Sequence, residues 1–143
     1  MMNLLSGVQS SASALKAERI RLEVISQNIA NASTTKTSDG GPYQRQVVKF
    51  ESVLQDKIGT DSEVVPQMVR VGRIMKDAKP PTSVFEPGHP DADPVTNMVQ
   101  YPSVNIHEEM ADMIAASRSF EANLAVIKNA RALALQTLSI GHR

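Results

Sequence analysis

The C-terminal segment, residues 104–140, constrains the fold more than any other part of the chain. Apolar residues recur in it every seven positions, with a second apolar series four residues behind the first. Such spacings lie on one side of an α-helix, and a sustained seven-residue repeat is typical of a helix that packs against another helix. The first series is Ile106, Met113, Phe120, Ile127 and Ala134, and the second is Met110, Leu124 and Leu138. At ~1.5 Å per residue this helix is roughly 50 Å long, too long for a small compact globule.

The N-terminal segment, residues 3–31, repeats this pattern. Val8, Leu15, Leu22 and Ile29 recur every seven positions, and Ala17, Ile20 and Val24 form a second, offset stripe. The sequence predicts an amphipathic helix that ends near Asn31, because Asn tolerates the left-handed conformation of a helix C-cap. Since the two terminal helices share a period and are similar in length, we expect them to pair as an antiparallel coiled coil.

Residues 33–102 differ in character from both ends. A turn is predicted at Asp39, Gly40, Gly41 and Pro42, because Gly permits positive φ and Pro fixes φ. Residues 79–94 hold most of the chain's prolines and are expected to be extended and irregular. Alternation of β-branched and polar residues predicts strands, Val48 and Phe50 sharing one face of the first and Val69 and Val71 marking the second. The predicted strands are residues 44–54, 64–76 and 99–101, with a polar loop at 58–62.

The predicted fold is therefore mainly α with a small β region. Long N- and C-terminal helices pair as a coiled coil, with an inserted β-hairpin and Pro-rich segment. The parts are an N-terminal coiled-coil helix (1–32), a small β and Pro-rich middle region (33–102) and a C-terminal coiled-coil helix (103–143), the two helices together forming one domain.

Both helices are apolar on more sides than one helix pair covers. In the C-terminal helix Val126, Leu133 and Ile140 form a further line, and Leu135 lies off both series. Burial of each such side chain stabilises by ~1.5–3 kcal/mol, so several left exposed on a monomer are unfavourable. We infer that copies of this chain, or related chains, cover them.

Composition and motifs argue against an enzymatic, cofactor-binding or nucleic-acid-binding function. The formal net charge is zero, Trp and Cys are absent and aromatic residues make up 3% of the chain, which speaks against nucleic-acid binding, a large aromatic pocket and thiol chemistry. No nucleophile elbow, phosphate loop or dinucleotide motif is present, so neither an enzyme nor a cofactor site is expected. His89, Asp91 and Asp93 fit a rigid loop better than a metal site, and no apolar run approaches the ~20 residues of a membrane span.

Several stretches resemble the bacterial flagellar rod and hook proteins, and among them the proximal-rod members. The family motif after the first helix falls on Asn28, Asn31, Gly41, Pro42 and Tyr43. Further matches are residues 45–47, 87–93, 101–105, 108–110 and 116–123. The chain departs from the family pattern in the residues 34–37 that precede Gly41, and in lacking a Gly between Asp93 and Tyr101.

The resemblance implies a non-enzymatic subunit of the basal-body rod, which crosses the periplasm and transmits motor torque. Its implied partners are copies of itself, the other proximal-rod proteins, the distal rod, the rod–export-gate adaptor and the flagellar type III export apparatus. Neither nucleic acid nor direct membrane insertion is implied. The residues expected to make subunit contacts lie on the helix seams: Val8, Leu15, Leu22, Ile29, Ile106, Met110, Met113, Phe120, Leu124, Ile127 and Leu138.

Two other functions remain open from the residues alone. The first is an adaptor or tether built on a helical hairpin, which would form a closed oligomer rather than an open-ended assembly. The second is a peripheral membrane protein that uses Leu4, Leu5, Val8 and Leu15 as an interfacial helix, although its cationic face is thin.

Overall fold

The computed structural model describes residues 2–54 and 67–140. The predicted polar loop at 58–62 and the start of the predicted strand at 64–66 lie outside these residues. The described elements, in chain order, are α1 (Met2–Ala30), β1 (Gln46–Leu54), β2 (Gln67–Lys76), β3 (Thr82–Phe85), β4 (Met98–Tyr101) and α2 (Ile106–Ile140). The mainly α prediction with a small β region is confirmed.

The two long helices pack against each other in opposite directions. Near the end of α1, Asn28 bonds to Glu109 at the start of α2, and further along Ser119 of α2 donates to Glu18 of α1 at 3.0 Å. The same register, continued, brings the first residues of α1 level with about Leu135. Because α2 has 35 residues and α1 has 29, the last turn of α2 extends beyond the start of α1.

The line of α2 buried against the rest of the chain differs from the predicted seam. Met113, Phe120, Leu124 and Ile127 are half-buried, but Ile106, Met110 and Leu138 are exposed. The sequence predicted a second buried series four residues after members of the Ile106 series. In the structure the second series lies three residues after them instead, at Glu109, Ala116, Asn123 and Ala130. Small side chains let two helices approach closely, and Glu109 tolerates burial because its carboxylate is bonded.

α1 is covered on two sides. Val8, Leu15, Leu22 and Ile29 are half-buried, whereas Ala17 and Val24, from the stripe that the sequence marked as offset, are almost fully buried together with Ile25. The reason is that α2 covers one side of α1 and the β1–β2 hairpin another. The Val69 amide of that hairpin donates to Ser13 Oγ at 3.1 Å.

α1 ends without a left-handed residue. The Asn31 side chain donates to the Gln27 carbonyl at 2.9 Å, and the same carbonyl accepts from the Asn31 backbone amide at 3.0 Å. The one described non-Gly residue with positive φ is Asn97, at 55°, so the expectation of a left-handed cap at Asn31 was wrong. The predicted turn is confirmed, because Gly40 and Gly41 have φ of 82° and 80°.

The strands form two antiparallel hairpins. β1 pairs with β2, and Lys49 lies opposite Arg73 and Phe50 opposite Val71, so that Gly72 is an unpaired bulge. β3 pairs with β4, whose Val99 is fully buried.

The predicted strand at 99–101 is confirmed as β4. The expectation that 79–94 is wholly irregular was wrong, because β3 lies within it. The prolines lie on either side of Thr82–Phe85 and not within it, so the backbone of that short strand can pair with β4. Asn97 adopts the left-handed conformation in the region where the family pattern has a Gly.

Candidate functional site

Three segments meet at one end of the helix pair, around two buried polar side chains. Asn28, near the end of α1, is 1% exposed, and Glu109, in the first turns of α2, is 0% exposed. The third segment is the chain entering β1 at Arg45 and Gln46. We call Asn28, Tyr43, Arg45 and Glu109 the polar junction.

Asn28 uses its whole hydrogen-bonding capacity inside the chain. Its Nδ2 donates to the Gln46 carbonyl at 2.9 Å and to Glu109 Oε2 at 3.0 Å. Its Oδ1 accepts from the Gln46 amide and from the Tyr43 hydroxyl, both at 2.9 Å. The Asn28 amide therefore pairs with Gln46 as a neighbouring strand would, and it joins α1 to β1 and α2.

Arg45 supplies the cation of the junction. Its Nε donates to Glu109 Oε1 at 2.6 Å, and its Nη atoms lie 3.6 Å from Asp77 and 3.7 Å from Asp112. Burial lowers the pKa of Arg45. The hydrogen bond to Glu109 and the charges of Glu109, Asp77 and Asp112 together raise it by more than burial lowers it, so the pKa lies above its ordinary value. The guanidinium stays charged and holds Glu109 in place.

Tyr43 is the ionisable member of the junction that stays neutral. Burial, and then the negative charge of Glu109, raise the pKa of its hydroxyl above the ordinary value. The hydroxyl therefore remains a donor to Asn28. The structure brings together two residues of the family motif, Asn28 and Tyr43. Gly41 and Pro42 form the turn that precedes Tyr43, and Asn31 caps α1.

Sequence reasoning did not find the partners of Asn28. Glu108 and Glu109 both lie in the first turn of α2, where an acid is expected to interact favourably with the helix dipole. Glu108 does so, close to the cap formed by Asn105 Oδ1 and the His107 amide at 3.1 Å. Glu109 instead lies in the helix interface. The sequence did contain one signal. Glu109 lies three residues after Ile106 and seven before Ala116, a spacing that places an ionisable side chain on a seam position. A carboxylate buried there requires a hydrogen-bonding or charged partner.

A second polar contact lies about three turns further along the helices. Glu18 Oε1 accepts from Ser119, whereas its buried Oε2 makes no hydrogen bond with the described residues and lies 3.8 Å from Arg21. Arg21 also contacts Asp112 at 3.4 Å. Like the junction, this contact joins α1 to α2.

The opposite end of α2 is apolar and exposed. We call residues 126–140 the distal segment. Five of its large apolar side chains are exposed, Val126 50%, Leu133 56%, Leu135 58%, Leu138 63% and Ile140 70%, whereas Ile127 is half-buried. Nothing in the described chain covers them, and the predicted contact residue Leu138 is among them. The subunit-contact role of the seam residues stays a prediction.

The loop between β3 and β4 holds the candidate metal residues in internal bonds. His89 Nδ1 accepts from the Asp91 amide at 3.1 Å, and Asp93 Oδ1 accepts from the Val95 amide at 2.8 Å. Within residues 2–54 and 67–140, no three His, Cys, Asp or Glu side chains gather as a metal site would require. None of the described helices combines the length and the apolar character needed to span a bilayer.

Both ends of the chain match flagellar families. Residues 9–36 match the family described as flagella basal body rod protein, and residues 93–140 match the flagellar basal body rod FlgEFG protein C-terminal family. The first match contains Asn28 and the second contains Glu109.

Similarity to curated proteins extends over almost the whole chain. The flagellar basal-body rod protein FlgC of Borreliella burgdorferi is 38% identical over 97% of this chain and 98% of its own length. FlgC of Yersinia enterocolitica is 38% identical over 98% and 99%, and that of Bacillus subtilis is 33% identical over 92% and 93%. The chain therefore belongs to the FlgC family of flagellar basal-body rod proteins.

Proposed function

We propose that this chain is a structural, non-enzymatic subunit of the proximal rod that assembles through its terminal helices. Family membership gives the location, which is the flagellar basal-body rod. The distal segment of α2 suggests how copies are held together.

The observation that carries the proposal is the apolar surface of the distal segment. Val126, Leu133 and Ile140 recur every seven residues on one side, while Leu135 and Leu138 lie on other sides of the helix. A helix that is apolar on several sides is typically surrounded by other helices. Burial of each of these side chains would contribute ~1.5–3 kcal/mol. Neighbouring subunits that pack their own helices around this segment would supply that burial.

The antiparallel helix pair would then continue into a coiled coil between subunits. Long helices packed side by side resist bending and twisting, which suits a rod that transmits torque. Further copies of this chain, the other proximal-rod proteins, the distal rod and the rod–export-gate adaptor are the partners that we propose. Delivery through the flagellar type III export apparatus is compatible with a chain that contains no cysteine.

Leu133→Asp tests the assembly role, with Gln136→Asp as its matched control. Both positions are exposed on the distal segment, and both variants gain the same side chain. We expect Leu133→Asp to abolish incorporation into basal bodies and motility, because it places a charge in the buried helix layer, whereas Gln136→Asp retains both. Circular dichroism of the purified variants checks that helix content is equal. Incorporation of Leu133→Asp at the level of the control would refute the proposal.

A closed oligomer, such as a helical-hairpin adaptor would form, is the competing function. It would bury the same apolar side chains in a complex of fixed size. Light scattering over a concentration series separates the two, because an open helical assembly grows in mass with concentration and a closed one reaches a constant mass.

A further inference from the structure

Two cations of the β1–β2 hairpin face each other with no acid between them. Lys49 of β1 and Arg73 of β2 are directly opposite in the strand register, and both are exposed. Neither forms an ion pair with any residue that the structure describes. Like charges directly opposite each other on a sheet repel. An anionic group from outside the chain would relieve that repulsion.

The acid nearest in the strand register is already engaged. Glu51 pairs with Arg70 at 3.3 Å, and its side chain lies over the Gly72 bulge, where a Cβ would clash with it. In all, the two strands carry four cations and one acid. Met75 follows Arg73 on the same side of β2 and is 37% exposed. We call Lys49, Arg73 and Met75 the basic face.

The β3–β4 hairpin has the opposite charge. Residues 82–101 contain Glu86, Asp91 and Asp93 and no Lys or Arg. Asp91 and Asp93 are exposed, and none of the three acids forms an ion pair with another described residue. Large apolar side chains lie close to them in the sequence, with Phe85 63% and Val95 86% exposed.

We propose that the β3–β4 hairpin of a second copy of this chain docks on the basic face, an inference that rests on the proposed assembly of copies. Asp91 and Asp93 accept hydrogen bonds from the Thr35 hydroxyl and the Val95 amide, both at 2.8 Å. Among the described residues no ion pair joins the two hairpins of one chain, so the charges of the acidic and basic sets do not neutralise each other within it. Asp91 and Asp93 of one copy approach Lys49 and Arg73 of the next, around a centre formed by Met75 and Val95. Because the two surfaces differ, the contact is head-to-tail, the type of contact that builds a helical assembly when its rotation does not close into a ring.

Single cysteines test the contact directly, because the chain has none of its own. Cells that express both a Met75→Cys and a Val95→Cys chain are treated with an oxidant, and only contacts between copies can produce a disulfide-linked dimer that contains both variants. We expect this dimer with the Met75→Cys and Val95→Cys pair. It should be absent when exposed Ser38→Cys replaces Val95→Cys. An equal yield from both pairs, or no product from the first, overturns the proposal.

The charges are tested in the same assay. Lys49→Glu combined with Arg73→Glu should reduce the crosslinked product about tenfold, since like charges then face each other across the contact. Circular dichroism shows whether the variant is folded, and an unchanged yield from a folded variant would overturn the electrostatic basis.

A disulfide between two copies of a Thr137→Cys chain tests contact through the distal segment. It separates the proposed assembly through the helices from the proposed hairpin contact. If this product forms and the hairpin product does not, only the hairpin contact is wrong. If neither forms, the proposed assembly of copies is wrong as well.

Discussion

The two ends of the helix pair follow opposite rules of burial. At the polar junction the chain buries an amide and a carboxylate, Asn28 and Glu109, and gives each a partner from its own sequence. In the distal segment it leaves large apolar side chains exposed, up to 70% at Ile140. The buried polar groups of the junction are satisfied within a single chain, whereas the described residues leave large apolar side chains of the distal segment exposed.

The contrast separates the contacts that stabilise the isolated chain from the surface that remains available for assembly. Polar groups without a partner are costly to bury, so the junction fixes which segments meet and in which register. Exposed apolar side chains add little to the isolated chain, but they retain free energy that is released on packing. Native amide hydrogen exchange should therefore be slow around Glu109 and fast along the distal segment.

Glu109→Ala should have the largest effect on the isolated chain. It leaves Arg45 charged and half-buried without its closest partner, and it removes one acceptor of the Asn28 amide. We expect a loss of about 3–5 kcal/mol in the free energy of unfolding, the range for breaking one partner out of a buried ion pair. Chemical denaturation followed by circular dichroism measures it.

The control is Glu108→Ala, one residue earlier on the exposed side of the same helical turn. It removes an acid near the helix start, which is worth about 0.3–1 kcal/mol. Equal losses in the two variants would mean that the junction contributes no more than the helix dipole, and the contrast between the two ends would not hold.

Asn28→Ala should rank second. The substitution deletes four hydrogen bonds, and the Gln46 amide and carbonyl lose their partner beside α1. Leaving buried groups unsatisfied costs about 1–3 kcal/mol. Asn31→Ala is the matched variant, because it removes two side-chain hydrogen bonds, to the Gln27 carbonyl and from the Thr34 hydroxyl, near the end of the same helix. A smaller loss in Asn28→Ala than in Asn31→Ala would contradict the role of the junction.

The sequence predicted the elements better than the faces they bury. Helix lengths, the turn at Gly40 and Gly41, and three of four strands follow from periodicity and turn chemistry, which are local. The choice between Met110 and Glu109 as the buried residue does not follow from them. Hydrophobicity favours Met110, but Glu109 is buried because Arg45, 64 residues away, reaches it.

The same limit applies to β3 and to α1. A four-residue strand among prolines gives almost no periodic signal, and pairing with β4 determines it. The burial of Ala17 rather than Leu15 depends on where the β1–β2 hairpin lies, which the helix pattern does not encode. Asn28 and Tyr43 were found through the family motif, whereas their convergence required the fold.

Tyr43→Phe should have a modest effect, about 0.5–1.5 kcal/mol for one hydrogen bond, because Asn28 Oδ1 keeps the Gln46 amide. The raised pKa of Tyr43 makes part of this stability dependent on pH. A group whose pKa is raised on folding stabilises fully below its unfolded pKa, near 10, and loses that contribution as the pH rises through the folded value. Stability of the parent chain should therefore fall above pH 10, and the fall should be smaller in Tyr43→Phe.

Tyrosinate absorbance measures this pKa without unfolding the protein. The chain has two tyrosines, so Tyr101→Phe leaves Tyr43 as the sole chromophore. Its titration midpoint should lie above the ordinary value, and it should move down when Glu109→Gln removes the negative charge. A midpoint that does not respond to Glu109→Gln would separate Tyr43 from the junction.

Leu138→Ala should have the smallest effect on the isolated chain and yet a large effect on assembly. Its side chain is 63% exposed, so truncation should change the free energy of unfolding by no more than about 0.5 kcal/mol. If neighbouring subunits bury this side chain, as we propose, the same truncation should cost about 2–5 kcal/mol in the rod, the range for a packed core. Competition with the parent chain for incorporation into basal bodies should therefore show strong exclusion of Leu138→Ala. A variant that destabilises the monomer and assembles normally would reverse the assignment of the two ends, because the distal segment would then be buried by its own chain.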